Sequence, residues 1–225
     1  MNKETLNLLK KNLSPIPGIM GREKFFNAAV LIPLLEKGEE YFFLFEKRAQ
    51  NIRQGGEISF PGGKFDPLQD KSCINAALRE TEEEIGLSRE KIEVIGRLDT
   101  FVSPRGLIIE SFIGILNIEE NDLDPDEREV EEIFTIPVSW FEKNPPEKYR
   151  ANVEVKPYYI NENGEKIFTI PVDNLGLPPQ YKEPWPSLDY DVFVFKNPYT
   201  IVWGITARLI VEFILKINPD YLGTY

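Results

Sequence analysis

The chain has 225 residues, and 26 basic against 37 acidic side chains leave a net charge of −11 at neutral pH. With 42% hydrophobic residues it can bury a sizeable core, so a disordered or fibrous chain is excluded. The acidic balance argues against general nucleic-acid binding, which needs a surplus of lysine and arginine, and the absence of histidine removes histidine bases, Ser-His-Asp triads and histidine-bearing zinc sites.

In chain order, Thr5 to Leu13 places Leu6, Leu9 and Leu13 at helical spacing, and Ser14-Pro15-Ile16-Pro17-Gly18 breaks the pattern. Ala28 to Leu35 and Tyr41 to Glu46 read as strands of a hairpin around Glu36-Lys37-Gly38-Glu39. A loop with Arg48, Arg53 and Gly55-Gly56 leads to a short strand, Glu57 to Phe60, which Pro61-Gly62-Gly63 stops. Asp70 to Ile85 turns helical, with Ile74, Ala77, Leu78 and Ile85 as its apolar stripe, Asp70 or Ser72 as cap and Gly86 just past its end. Strands follow at Ile92–Leu98 and Leu107–Leu116, then an acidic stretch from Glu119 to Glu132, then a strand running into a turn from Ile133 to Trp140. Asn161-Glu162-Asn163-Gly164 between Val153–Ile160 and Lys166–Val172 signals another hairpin. Pro178 to Ser187 is proline-rich and irregular, Val192–Phe195 is a strand, and Thr200 to Ile217 closes as a long helix with Trp203 and Phe213 in the core. Mixed strands with a few helices predict one α+β domain over 1–225, with 1–25 as a helical extension and 150–190 as an inserted hairpin and proline-rich region.

The one cysteine, Cys73, rules out an intrachain disulfide and a cysteine metal cluster, and reads as a packed small side chain. Met1 to Lys11 lacks the apolar stretch of a signal peptide, and the runs at Ala28–Leu35 and Ile201–Ile217 are too short or too charged to span a bilayer. The expected setting is the cytoplasm, without membrane attachment.

The chemistry concentrates in Arg79-Glu80-Thr81-Glu82-Glu83-Glu84-Ile85-Gly86-Leu87. On a helix Glu80, Glu83 and Glu84 fall at i, i+3 and i+4, so their carboxylates crowd one face while Glu82 points to solvent. Oxygen-only ligands converging this way suit Mg²⁺ or Mn²⁺, and a bound cation would supply the positive charge an anionic ligand needs in an acidic protein. Arg79 is placed to pair with a carboxylate and orient it. A solvated acidic helix end would carry the same pattern. The upstream Pro61-Gly62-Gly63 turn favours the metal reading, because backbone without Cβ can approach the helix closely.

This combination resembles the Nudix box of the Nudix hydrolases, in which Gly, five residues, Glu and seven residues precede Arg-Glu, an apolar residue, any residue, Glu-Glu, any residue, Gly and an apolar residue. Arg79-Glu80, Glu83-Glu84, Gly86 and Leu87 match. Fifteen residues, 64 to 78, separate Gly63 from Arg79 where the pattern has thirteen, Lys71 stands where it has its first Glu, and Thr81 takes the apolar position. Arg48, Ala49, Arg53 and Gly56 ahead of Phe60-Pro61-Gly62-Gly63 are similar to the extra motif of the coenzyme A pyrophosphatase branch, with one residue fewer between Arg53 and Gly56. Asp66 in the longer loop, and Ile201-Val202-Trp203-Gly204-Ile205-Thr206-Ala207-Arg208 near the end, are similar to that branch too.

The resemblance implies a Nudix α/β/α sandwich with a mixed β-sheet between helices. It also implies divalent-metal-dependent hydrolysis of a nucleoside diphosphate derivative: coenzyme A or a derivative cleaved to 3′,5′-ADP and 4′-phosphopantetheine, or alternatively ADP-ribose, NADH or a dinucleoside polyphosphate. A non-catalytic nucleotide sensor on the same fold is a third reading. Glu80, Glu83 and Glu84 would hold Mg²⁺ or Mn²⁺. The absence of histidine leaves proton transfer to a carboxylate, Glu80, Glu83 or a further acid, for which Glu129 is chosen over the neighbouring Glu127 and Glu131. Lys47, Arg48 and Arg53, the Gly62-Gly63 backbone and Arg105 are the candidates for binding substrate phosphates. The segment from Val153 to Ser187, with Tyr158, Tyr159, Tyr181 and Trp185, is long enough for a lid or a dimer arm, and a homodimer is one arrangement it suits.

Overall fold

The apolar run that begins at Ala28 extends in both directions in the computed structural model, which describes residues 1–118, 122–185 and 189–223. Positions 119–121 at the head of the acidic stretch and 186–187 at the end of the proline-rich segment lie outside the described residues. Strand β1, Phe26–Lys37, turns into β2, Glu40–Arg48, as the predicted hairpin, with Leu34 opposite Phe43 and Lys37 opposite Glu40. On its other side β1 runs parallel to Leu107–Leu116, from Phe26 opposite Leu107 to Leu35 opposite Leu116.

Around this pair the remaining strands run antiparallel to their neighbours. In chain order they are β3 (Ile58–Ser59), β4 (Gly62–Lys64), β5 (Ile92–Arg97), β6 (Phe101–Ser103), β7 (the Leu107–Leu116 strand) and β8 (Val130–Pro137). Strands β3 and β8 pair with β2, β4 with β1, and β5 and β6 with β7. The result is one mixed eight-stranded sheet.

Period-two alternation divides the buried side chains between the two faces of this sheet. Ala29, Leu31, Leu35 and Leu44 pack under helix α2, Cys73–Ile85, with Ala76, Ala77 and Ile85. Ile32, Leu34, Phe43 and Phe45 face the other way, toward α3 (Val138–Lys143) and α4 (Gly204–Ile217). Aromatic edges bind that second layer: the Phe43 ring stands 4.9 Å from Phe213 and 5.5 Å from Phe141, both T-shaped. Helices on both faces of a mixed sheet make the α/β/α sandwich that the motifs implied.

A smaller sheet of β13 (Ile201–Trp203), β12 (Asp189–Lys196) and β9 (Glu147–Asn152) closes the α4 side, with Phe193, Phe195 and Val202 in the same core. The hairpin at Asn161–Gly164 joins β10 (Tyr158–Ile160) and β11 (Lys166–Phe168), and α1, Lys3–Asn12, buries no residue.

Several expectations change in detail. Pro61-Gly62-Gly63 does not end the pairing, because Gly62 and Gly63 join β1 opposite Val30 and Ala29. The closing helix begins only at Gly204; the β-branched Ile201 and Val202 make a strand instead, and this leaves Trp203 48% exposed rather than in the core. Phe213 is buried as expected. The turn after β8 becomes α3, whose N-terminal flank is Pro137, and the strands β6 and β9 carry too little apolar alternation to be foreseen. Among the described residues no helix is long and apolar enough to cross a membrane.

Candidate functional site

Helix α2 starts at Cys73 with Ser72 at the N-cap position, and Asp70, the other cap candidate, is engaged elsewhere. Asp70 is buried, and its two oxygens each accept from Arg79, from Nε and Nη2, at 3.0 Å. It also accepts the Asp66 main-chain N–H at 2.9 Å, which folds the long loop back on the helix. The Arg79 guanidinium holds the Asp70 carboxyl below its ordinary range, and Asp70 in turn raises the guanidinium. With that anchor fixed, Nη1 of Arg79 reaches both Glu80 Oε1 at 2.8 Å and Glu83 Oε2 at 2.9 Å, and Nη2 donates to the Lys64 carbonyl at 3.2 Å. One arginine therefore gathers two of the three predicted carboxylates, and gathers them beside β4. Glu83 remains mostly in solvent, while Glu80 is half-buried.

Glu84 turns the other way, into the sheet. Its side chain is 3% exposed, Oε2 accepts the Gly62 main-chain N–H at 2.8 Å, and Oε1 stands 3.7 Å from Arg48 Nη1. Two glycines let β4 lie close against β1 and against Glu80. Gly62 has φ +149°, and a Cβ there would lie 2.4 Å from the Ala29 carbonyl oxygen. A Cβ on Gly63 would lie 2.5 Å from the Glu80 carboxyl carbon.

Arg48 also stands 3.5 Å from Oε1 of Glu46, a fully buried acid on β2 that the sequence analysis did not single out. Glu46 Oε1 accepts the Ser59 hydroxyl at 2.8 Å, and Oε2 is buried without a hydrogen-bond partner among the described residues. Burial lifts Glu46, Glu80 and Glu84 above the ordinary carboxylate range, and repulsion from neighbouring carboxylates adds to it.

Glu129 joins this neighbourhood. Its main-chain oxygen accepts the Ala49 N–H at 2.8 Å, and its charge raises both Glu46 and Glu80. Of its two rivals, Glu131 is bound to Lys47 Nζ at 2.5 Å and to Gln50, while Glu127 is exposed, as Glu129 itself is.

The basic residues are less collected. Lys47 lies across the strand from Glu46 and Arg48 and is occupied by Glu131. Arg53 is exposed, and its guanidinium makes no ion pair among the described residues. Arg105 is exposed on the loop between β6 and β7, where its field acts on Tyr190 together with that of Arg208, apart from the carboxylates. Glu82 is not left to solvent: Arg89 donates to it from Nε at 2.8 Å and from the main chain at 2.9 Å. Lys71, at the first-glutamate position of the box, is exposed, and Asp70 beside it takes the arginine instead. Cys73 is packed as expected; its sulfur lies 3.6 Å from Arg22 Nη2, and burial raises its thiol.

A divalent cation fits the donor chemistry of this place. The donors are carboxylate oxygens, buried negative charge exceeds what Arg48 and Arg79 offset, and Glu46 Oε2 lacks a partner. Among the described residues no three acidic, cysteine or histidine side chains already form a closed cage, since Glu80 and Glu83 face Arg79 while Glu84 faces Gly62.

Residues 25–158 match the family model described as the NUDIX domain. The mouse peroxisomal coenzyme A diphosphatase NUDT7 is 35% identical over 114 residues, 50% of this chain and 48% of that protein. The human mitochondrial coenzyme A diphosphatase NUDT8 is 29% identical over 202 residues, 88% of this chain and 71% of its own length. The uncharacterized Nudix hydrolase NudL of Enterobacter sp. (strain 638) is 31% identical over 192 residues, 85% of this chain and 82% of that protein. The match thus spans about half of the mouse protein and most of the bacterial one. The family model covers the sheet, the glycine turn and the acidic helix together, and the bacterial relative aligns along most of its length: this chain belongs to the Nudix family.

Proposed function

We propose that this chain, acting as a single unit over 1–225, is a divalent-metal-dependent pyrophosphohydrolase that cleaves the diphosphate of a nucleotide derivative. Coenzyme A or a coenzyme A derivative is the favoured substrate, giving 3′,5′-ADP and 4′-phosphopantetheine. The observation that carries the reading is the docking of α2 on the glycine turn, with Arg79 gathering Glu80 and Glu83 and with Gly62 holding Glu84. The substrate choice rests on Arg48, Ala49, Arg53 and Gly56 ahead of Phe60-Pro61-Gly62-Gly63, and on the similarity to two coenzyme A diphosphatases.

Glu80, Glu83 and Glu84 would hold Mg²⁺ or Mn²⁺. When bound, such ions neutralise a diphosphate and lower the pKa of water. The chain's own residues do the rest. Arg79, braced by Asp70, keeps Glu80 and Glu83 oriented. Glu129, beside Glu80 and Glu46, accepts the proton of the water that attacks one phosphorus as the other phosphate leaves. Arg53, whose guanidinium is exposed and without an ion pair among the described residues, meets phosphate charge at the rim of the site.

Chromatographic product analysis after incubation with coenzyme A, ADP-ribose, NADH and diadenosine polyphosphates, each with Mg²⁺ or Mn²⁺, tests this. Dominant release of 3′,5′-ADP from coenzyme A is the expected result. Preference for another diphosphate would keep the chemistry and discard the substrate, and nucleotide binding without hydrolysis under either metal would turn the reading into a sensor.

A further inference from the structure

Glu46 is the acid the motifs did not predict, and its surroundings leave it incomplete. Alternation on β2 puts Phe43 and Phe45 on the α4 face and Leu44 on the α2 face, so Glu46 follows Leu44 toward α2. There its side chain is 1% exposed. Oε1 has Ser59 at 2.8 Å, but Oε2 has no hydrogen-bond partner among the described residues. A buried polar atom left unpaired is expensive, and native proteins retain one chiefly where something else completes it.

The charge balance is incomplete in the same place. Glu46 and Glu84 are both buried and share one cation, Arg48, whose Nη1 stands 3.5 Å from the first and 3.7 Å from the second, beyond a good hydrogen bond to either. Glu80 and Glu129 add further negative field. What is missing is positive charge that binds oxygen and fits between a strand and a helix. That describes a hard divalent cation.

We propose that Glu46 supplies a fourth carboxylate, through Oε2, to the divalent-cation site of Glu80, Glu83 and Glu84, tying the acidic helix to β2 through the metal. The proposal rests on the metal-dependent reading of α2 given above. It explains why an acid is buried next along from Leu44 on the α2 face of β2, and why Arg48 lies between Glu46 and Glu84 instead of projecting to solvent.

Calorimetric titration of the full chain with Mn²⁺ alone tests it, on the parent protein, Glu46→Gln and Glu84→Gln, with melting curves recorded with and without Mn²⁺. Glu46→Gln should weaken Mn²⁺ binding by about 10- to 100-fold. It should also shrink the Mn²⁺-induced rise in melting temperature, while excess Mn²⁺ restores its turnover; a merely structural role would show no such rescue. If glutamine at this position prevents folding, Glu46→Leu, which removes the unpartnered Oε2 altogether, carries the same comparison. Parent-like Mn²⁺ binding in the position-46 variant, with binding weakened in Glu84→Gln, would overturn the proposal and leave the proposed function standing. No Mn²⁺ binding by the parent protein would overturn both.

Discussion

A methyl group on Gly63 would meet the movable end of Glu80, whereas one on Gly62 would meet the backbone of β1 at Ala29 and Val30. The two adjacent glycines should therefore fail differently when replaced by alanine. Gly63→Ala should unfold within about 1 kcal/mol of the parent. Its turnover should fall by about 100-fold because the Glu80 carboxylate is displaced. Gly62→Ala, at φ +149°, should lose about 1–3 kcal/mol of stability. Denaturant titration and steady-state kinetics separate the two outcomes. Glu83, largely exposed and held by Arg79, gives a third contrast: Glu83→Gln should keep the melting temperature and lower turnover by about 100-fold. Near-parent turnover would remove Glu83 from the metal set. At this scale the sequence spoke clearly about the helix and less clearly about what braces it. The Arg-Glu and Glu-Glu pairs have fixed spacing and can be read by counting. Asp70 was legible only as a cap, because the longer loop shifts the bracing acid one place away from the box position at Lys71. Glu46 left a fainter signal, a charge closing the apolar run Tyr41-Phe42-Phe43-Leu44-Phe45.

Between elements, the loop at 65–72 is pinned to α2 by a single acid. Asp70 braces Arg79 and caps the Asp66 N–H, so it links β4, the loop and the helix. Because its carboxyl is held below the ordinary value of 3.8, its contribution to stability is complete above that value and is lost as pH falls through the lowered folded one. Asp70→Asn should be less stable at neutral pH by about 1–3 kcal/mol. It should also lose stability less steeply than the parent on acidification, which thermal melts across the acid range would measure. Equal acid slopes would mean that Asp70 does not carry this linkage. Element positions were largely legible where apolar periodicity was strong, as in β1, β2, β7 and α2. They were missed where a strand gains its place from a neighbour, as β4 does from β1 and β9 from β12. Ile201–Trp203 read as helix because it is apolar and continuous with α4; pairing with β12 decided otherwise.

Across the molecule, the acids of the site oppose Asp70 in sign. Glu46, Glu80 and Glu84 are raised above the ordinary 4.5, so their contribution is present below that value and lost as pH rises through the raised folded ones. The metal-free protein should accordingly be most stable in weakly acidic solution and weaken toward alkaline pH, and Mg²⁺ should flatten that alkaline decline by favouring the charged carboxylates. Melting temperatures over about pH 4 to 8, with chelator and with Mg²⁺, would show it; a decline unchanged by the metal would count against a cation among these acids. The layered architecture was predictable from the family motifs, whereas the partition of Leu44 and Phe45 to opposite cores emerges only from the pleat. The parallel pairing of β1 with β7 has a kinetic consequence. Strand β1 meets β2 across a tight turn at Gly38, but it meets β7 only after the chain has passed through the glycine turn, the loop and α2. Closing so long a loop is entropically slow and succeeds late, so the hairpin can form early while the acidic helix waits inside an unclosed crossover. Metal-binding competence should therefore appear as one of the last events of folding, and recovery of Mn²⁺ binding during refolding would time the moment when β1 finds β7.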